Sequence, residues 1–124
     1  MIKRIFFLLF VFISVSAAFQ FAWISDTHIG SEKGSSCLEQ VVNDINKLDN
    51  IDFVIVSGDI TESDMSGHLL EAENILDKIS IPYYVIPGNH ELKWSNSGGT
   101  AFHQIFGSTG FYFEKEDIAF CGIH

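Results

Sequence analysis

Three short polar clusters interrupt the apolar runs of this 124-residue chain: "SDTHIG" at Ser25 to Gly30, "SGDITE" at Ser57 to Glu62, and "PGNHE" at Pro87 to Glu91. Between them they offer carboxylates, imidazoles and an amide, each beside a glycine. Asp26 and His28 are two apart, so on an extended backbone both side chains leave on the same side and can clasp one ion. Carboxylate oxygen, imidazole nitrogen and amide oxygen suit borderline-hard cations such as Mn, Zn or Fe, and a carboxylate can bridge two such ions about 3.5–4 Å apart. Gly58 and Gly88 allow a sharp exit from a strand and a close backbone approach to a metal or substrate. Taken singly, each cluster has a blander reading. Asp26 and His28 would then be a loop or helix-cap pair, and Asp59 and Asn89 would be turn residues.

The elements around the clusters decide between these readings. "FQFAWIS" is expected to be a strand and "SSCLEQVVNDINKLDN" a helix, with Ser36 and Glu39 at capping-box spacing and Leu38, Val41, Val42, Ile45 and Leu48 on one apolar face. "IDFVIVSGD" is the nearly continuous apolar run of a strand buried on both faces of a parallel sheet. A second helix follows in "GHLLEAENILDKIS", with Leu69, Leu70, Ala72, Ile75, Leu76 and Ile79 inward, and "IPYYVIPG" is a third strand. This order makes two βαβ units of a parallel sheet. The three clusters then stand at the carboxyl ends of the three strands, where open α/β sheets build their ligand crevice. Further on, "TAFHQIFG" reads as a short helix closed by Gly107, and "GFYFEKEDIAFCGI" as two strands joined by the charged turn "EKED".

"DTH", "GDIT" and "GNHE", in this order and each at a strand end, resemble the first three motifs of the calcineurin-like metallophosphoesterase superfamily. The resemblance covers essentially Phe21 to His124. It implies the amino-terminal half of an α/β/β/α sandwich: a parallel βαβαβ unit plus the start of a second sheet. It further implies two divalent or trivalent metal ions, with Asp26 and His28 on the first, Asp59 bridging both, and Asn89 on the second. His90 would face the leaving group as a charge stabiliser or proton donor, and Glu62 stands where some relatives carry an acid that orients that imidazole. The implied reaction is hydrolysis of a phosphomonoester or phosphodiester by a bridging hydroxide. Relatives supply three further histidines from later segments, one alone and two in a "GHxH" motif, and no such motif occurs here. The expectation is therefore an incomplete domain over residues 19–124, with His124 a strand-end residue. A secreted remnant that binds metal partly or not at all is the alternative.

Composition narrows the partners. Lys3 and Arg4, the apolar run from Ile5 to Val15 and the small residues through Ala18 have the layout of a cleaved signal peptide over residues 1–18, so export to a periplasmic or extracellular space is expected. The run is shorter than the roughly 20 apolar residues of a membrane span, so no stable anchor is expected. With 16 acidic against 7 basic residues and a formal net charge of −9, the chain is a poor nucleic-acid binder, because holding phosphates takes clustered Lys and Arg. The partner implied is a phosphate-ester substrate. Cys37 and Cys121 either form one disulfide or are a helix-start residue and a small buried hydrophobe. Of the remaining residues, Glu91 reads as a solvated first-turn acid without chemistry, His68 and His103 as boundary or surface histidines with substrate contact as the alternative, and Trp94 as packed beneath the third cluster or, alternatively, lining the substrate crevice.

Overall fold

A computed structural model describes residues 19–63 and 66–124; the leader lies outside the described residues. Three strands, β1 (Phe21–Ile24), β2 (Phe53–Ser57) and β3 (Tyr83–Ile86), form a parallel sheet in the order β1-β2-β3. Ala22 faces Val54 across the first pair and Val56 faces Val85 across the second. The crossovers are α1 (Gly34–Ile45) and α2 (Ser66–Leu76). A short α3 (Thr100–Phe106) then leads to an antiparallel hairpin of β4 (Phe111–Lys115) and β5 (Ile118–Gly122). Gly107, with φ 78°, closes α3, and Glu116 and Asp117 turn the hairpin with left-handed backbone.

Strand alternation assigns the two faces of the sheet to different partners. Val54, Val56, Ala22, Ile24 and Val85 join Leu38, Val42, Ile45, Leu69, Ala72, Ile75, Leu76 and Phe102 in one apolar core under the three helices. The residues between them meet the hairpin through rings: Phe53 lies 5.0 Å from both Phe113 and Phe120, and Tyr84 stacks on Phe113 at 3.9 Å. Lys115 adds an ion pair to Asp52 at 2.7 Å. Helices, parallel sheet and hairpin thus form three successive layers, the α/β/β part of the expected sandwich.

Several local expectations change. α1 begins at Gly34, so Ser36 sits inside the first turn with its hydroxyl donating to the Lys33 carbonyl at 3.0 Å, and no side chain caps the helix. The capping box is absent because the backbone turns helical two residues before Ser36. Val41 is exposed on the flank of α1, and Leu48 lies beyond its end and is also exposed. Leu70 is 46% exposed, since only the Leu69, Ala72, Ile75 and Leu76 stripe reaches the sheet. Cys37 and Cys121 are both free and exposed, so there is neither a bridge nor a buried Cys121. Among the described residues no helix is long and apolar enough to cross a membrane.

Candidate metal centre

The ladder of the sheet does not stop where the strands end. Asp26 N–H donates to the Gly58 carbonyl at 3.2 Å, His28 N–H to that of Asp59 at 3.1 Å, and Ile29 N–H to that of Ile60 at 2.7 Å; Glu62 N–H returns to Ile29 at 2.9 Å. The Thr27 hydroxyl donates to the Ile60 carbonyl at 2.8 Å, and Ile29 and Ile60 are fully buried below it. The first loop is in this way bound edge-on to the second. Its backbone is not extended: Asp26 and His28 have φ 56° and 44°, a left-handed conformation that ordinary side chains adopt rarely. The two side chains still converge, with His28 Nε2 3.9 Å from Asp26 Oδ1. Convergence comes from two tight turns, not from strand alternation.

The third loop is held to the second by side chains. His90 N–H donates to Asp59 Oδ1 at 3.1 Å, and His90 Nδ1 lies 2.8 Å from the Glu62 carbonyl oxygen. A carbonyl only accepts, so Nδ1 carries the proton and Nε2 is left to face the site. Glu91, expected to be solvated, is fully buried. One of its carboxylate oxygens accepts from Thr61 N–H at 2.9 Å and from the Thr61 hydroxyl at 3.0 Å; the other accepts from Gly88 N–H at 2.9 Å. Its burial is tolerable because every bond it makes is to a donor. Gly88 is required by packing, since a Cβ there would stand 2.2 Å from Asp59 Oδ1 and 2.3 Å from Asp59 N.

His28, Asp59 and His90 each present a ligand atom, and these atoms lie within 4.8 Å of one another. The His28 and His90 rings meet edge to face at 4.9 Å. Such a set of two imidazoles and a carboxylate fits a borderline divalent cation. Asp26 stands beside it, exposed, accepting from the Ser25 hydroxyl. Asn89 is exposed at the turn, its carbonyl accepting from Trp94 N–H at 2.9 Å. The Glu62 carboxylate lies not on His90 but 3.0 Å from His28 Nδ1, at charge-contact distance though not aligned as a hydrogen bond. The other ring nitrogen of His28, Nε2, is the one that lies toward Asp26.

One indole and two imidazoles remain to be placed. Trp94 does not pack beneath the loop; it is 67% exposed and meets the edge of His90 at 4.8 Å, so its indole forms a wall of the site. His68 is half-buried against Gly30, and His103 is exposed. A cleft of about 390 Å³ opens beside Asp26 and His28, lined by Ile24, Lys33, Cys37, Leu38 and Val41.

Residues 19–121 match the sequence pattern of the calcineurin-like phosphoesterases. The chain belongs to that family. Among curated proteins it is 32% identical over 102 residues to the uncharacterized protein YvnB of Bacillus subtilis, covering 75% of this chain and 8% of YvnB. It is 35% identical over 78 residues to the probable glycerophosphodiester phosphodiesterase GpdQ of Arcobacter nitrofigilis, covering 55% of this chain and 28% of that protein. A transmembrane protein with a metallophosphoesterase domain from Danio rerio is 36% identical over 69 residues, 55% of this chain and 16% of its own length. The chain therefore spans less than a third of each of these relatives. The parallel sheet with alternating helices agrees with part of the metallophosphoesterase fold, and the family acts on phosphate esters with divalent metals.

Proposed function

We propose that this chain carries the first part of a two-metal centre that hydrolyses phosphate esters. The observation that carries the reading is that three separate strand ends bring together, within 4.8 Å, two of the proposed ligands, His28 and Asp59, and the imidazole of His90 that would serve the leaving group. In this reading Asp26, His28 and Asp59 hold one ion, and Asp59 and Asn89 hold the second. When bound, the ions would neutralise the ester's charge and lower the pKa of water enough to make a nucleophile at neutral pH. The protein's own part is positional. Glu62 O accepts from His90 Nδ1–H, which leaves Nε2 toward the site, where the ring would give a proton to the leaving oxygen when both its nitrogens are protonated. Asp59 is oriented by the His90 amide, and the Trp94 indole stands against the His90 ring. The name of the Arcobacter relative favours a phosphodiester over a monoester. Export through the leader of residues 1–18 belongs to the same proposal.

The test is hydrolysis of an aryl phosphate and an aryl phosphodiester by the purified chain with Mn²⁺ or Zn²⁺. Weak metal-dependent turnover is expected from a chain that holds only part of the implied ligand set, with Asp59→Asn losing roughly 100-fold or more, since even partners outside the ligand set cost 10–100-fold. Turnover that needs no metal, or that survives Asp59→Asn, overturns the mechanism.

A further inference from the structure

The buried Glu91 carboxylate has three donors and no contact with solvent, yet it sits next to His90 in sequence. Its partners lie in two different loops. Thr61 precedes Glu62, whose carbonyl oxygen takes the proton of His90 Nδ1 at 2.8 Å; Gly88 precedes Asn89 and packs directly on Asp59. The segments 59–62 and 88–91 are consequently closed into a ring. Its links are His90 N–H to Asp59 Oδ1, Thr61 N–H and hydroxyl to Glu91, Gly88 N–H to Glu91, and His90 Nδ1–H to Glu62. No link in that ring is a strand-ladder bond, and one side chain makes three of them.

We propose that Glu91 is a positioning residue: by clamping Thr61 and Gly88 it sets the Glu62 carbonyl that selects the His90 tautomer, and the spacing of Asp59 from Asn89. A buried anion suits this task better than a neutral group. It accepts from two backbone N–H groups and a hydroxyl with no donor of its own to misplace. A glutamine at this position turns one oxygen into an NH₂, which must then face either the Thr61 or the Gly88 N–H, and that donor–donor conflict opens one side of the clamp. The His90 tautomer and the loop spacing follow from the protein alone, whereas the consequence for cation binding rests on the two-metal reading above.

The experiment compares the metal-free wild-type chain with Glu91→Gln by ¹⁵N NMR of the histidine rings and amide hydrogen exchange, followed by Mn²⁺ titration. In the wild type His90 is expected as the Nδ1–H tautomer with protected Thr61 and Gly88 amides. In Glu91→Gln a mixed tautomer, faster exchange at those two amides, undiminished protection of Val54 in the central strand, and a roughly 10–100-fold weaker Mn²⁺ affinity are expected. A folded Glu91→Gln with the wild-type tautomer and unchanged exchange overturns the proposal. Should Glu91→Gln fail to fold, Thr61→Val removes only the hydroxyl donor, and an unchanged His90 tautomer in that variant overturns it equally. Absence of Mn²⁺ binding by the wild type would refute the two-metal reading, while tautomer and exchange would still decide the role of Glu91.

Discussion

The first and third loops flank the same central loop, and they are secured to it by different physics. The first is joined by main-chain hydrogen bonds that prolong the parallel ladder, and its outer side chains, Asp26 and Ser25, remain exposed. The third hangs on one buried carboxylate, on the two bonds of His90 to Asp59 and Glu62, and on the packing of a glycine against Asp59. A ladder tolerates side-chain change and shifts as a unit; a clamp made by one side chain is stiff until that side chain or its seat is altered. The difference teaches that ligands at the first strand end are held by topology and those at the third by specific chemistry.

Two glycine substitutions break the comparison open. Gly88→Ala drives a Cβ to 2.2 Å from Asp59 Oδ1 and 2.3 Å from Asp59 N, where the clamp leaves no room to yield. It is expected to destabilise the chain by about 2–3 kcal/mol, as overpacking does, measurable by urea denaturation. Gly34→Ala places a Cβ 2.3 Å from the His28 carbonyl oxygen and 2.8 Å from that of Thr27, but Thr27 and His28 are only half-buried and can shift with their ladder. Its cost is expected to be smaller, about 1 kcal/mol, offset in part by the better helix propensity of alanine. If Gly34→Ala proves the more damaging, the stiffness assigned to the third loop is misplaced.

A smaller effect lies at the other end of the central strand. Asp52 accepts from Lys115 Nζ at 2.7 Å and from Gln20 N–H at 3.0 Å, and these bonds, the lysine first, hold its carboxyl below the ordinary value of 3.8. A carboxyl lowered in the folded state contributes stability above its unfolded value and loses it as pH falls through the folded one. Acid below about pH 4 should therefore loosen the hairpin from the sheet. Near-ultraviolet circular dichroism of the Phe53, Phe113 and Phe120 cluster can follow this. An Asp52→Asn variant should lack that acid response.

Much of the fold was legible in the chain because apolar period and strand–helix alternation are local signals. The run Phe53 to Ser57 reads as a doubly covered strand and is one; Gly107 ends α3; the charged residues after β4 turn the hairpin. Where local pattern failed, burial was set by distant partners. Leu70 and Val41 have the right period but lie off the narrow stripe that meets the sheet. Ser36 has capping-box spacing, yet the helix starts earlier. Glu91 was the largest miss: an acid in the first turn after a strand is ordinarily solvated, and nothing adjacent to it reveals that Thr61, thirty positions earlier, supplies its donors. The one available signal was a glycine three residues before it, a backbone N–H with no strand to pair with.

By itself the sequence determined the family, the order of elements and the three strand ends that carry Asp26, His28, Asp59, Asn89 and His90, because hydrophobic period and short motifs need no knowledge of contacts. Only the tertiary structure decided that Asp26 and His28 converge through left-handed turns, that Glu62 offers its carbonyl to His90 and its carboxylate to His28, that Trp94 stands at the rim, and that Glu91 is sealed inside. Each of these depends on which backbone donors and acceptors are left unpaired when three loops close over one another.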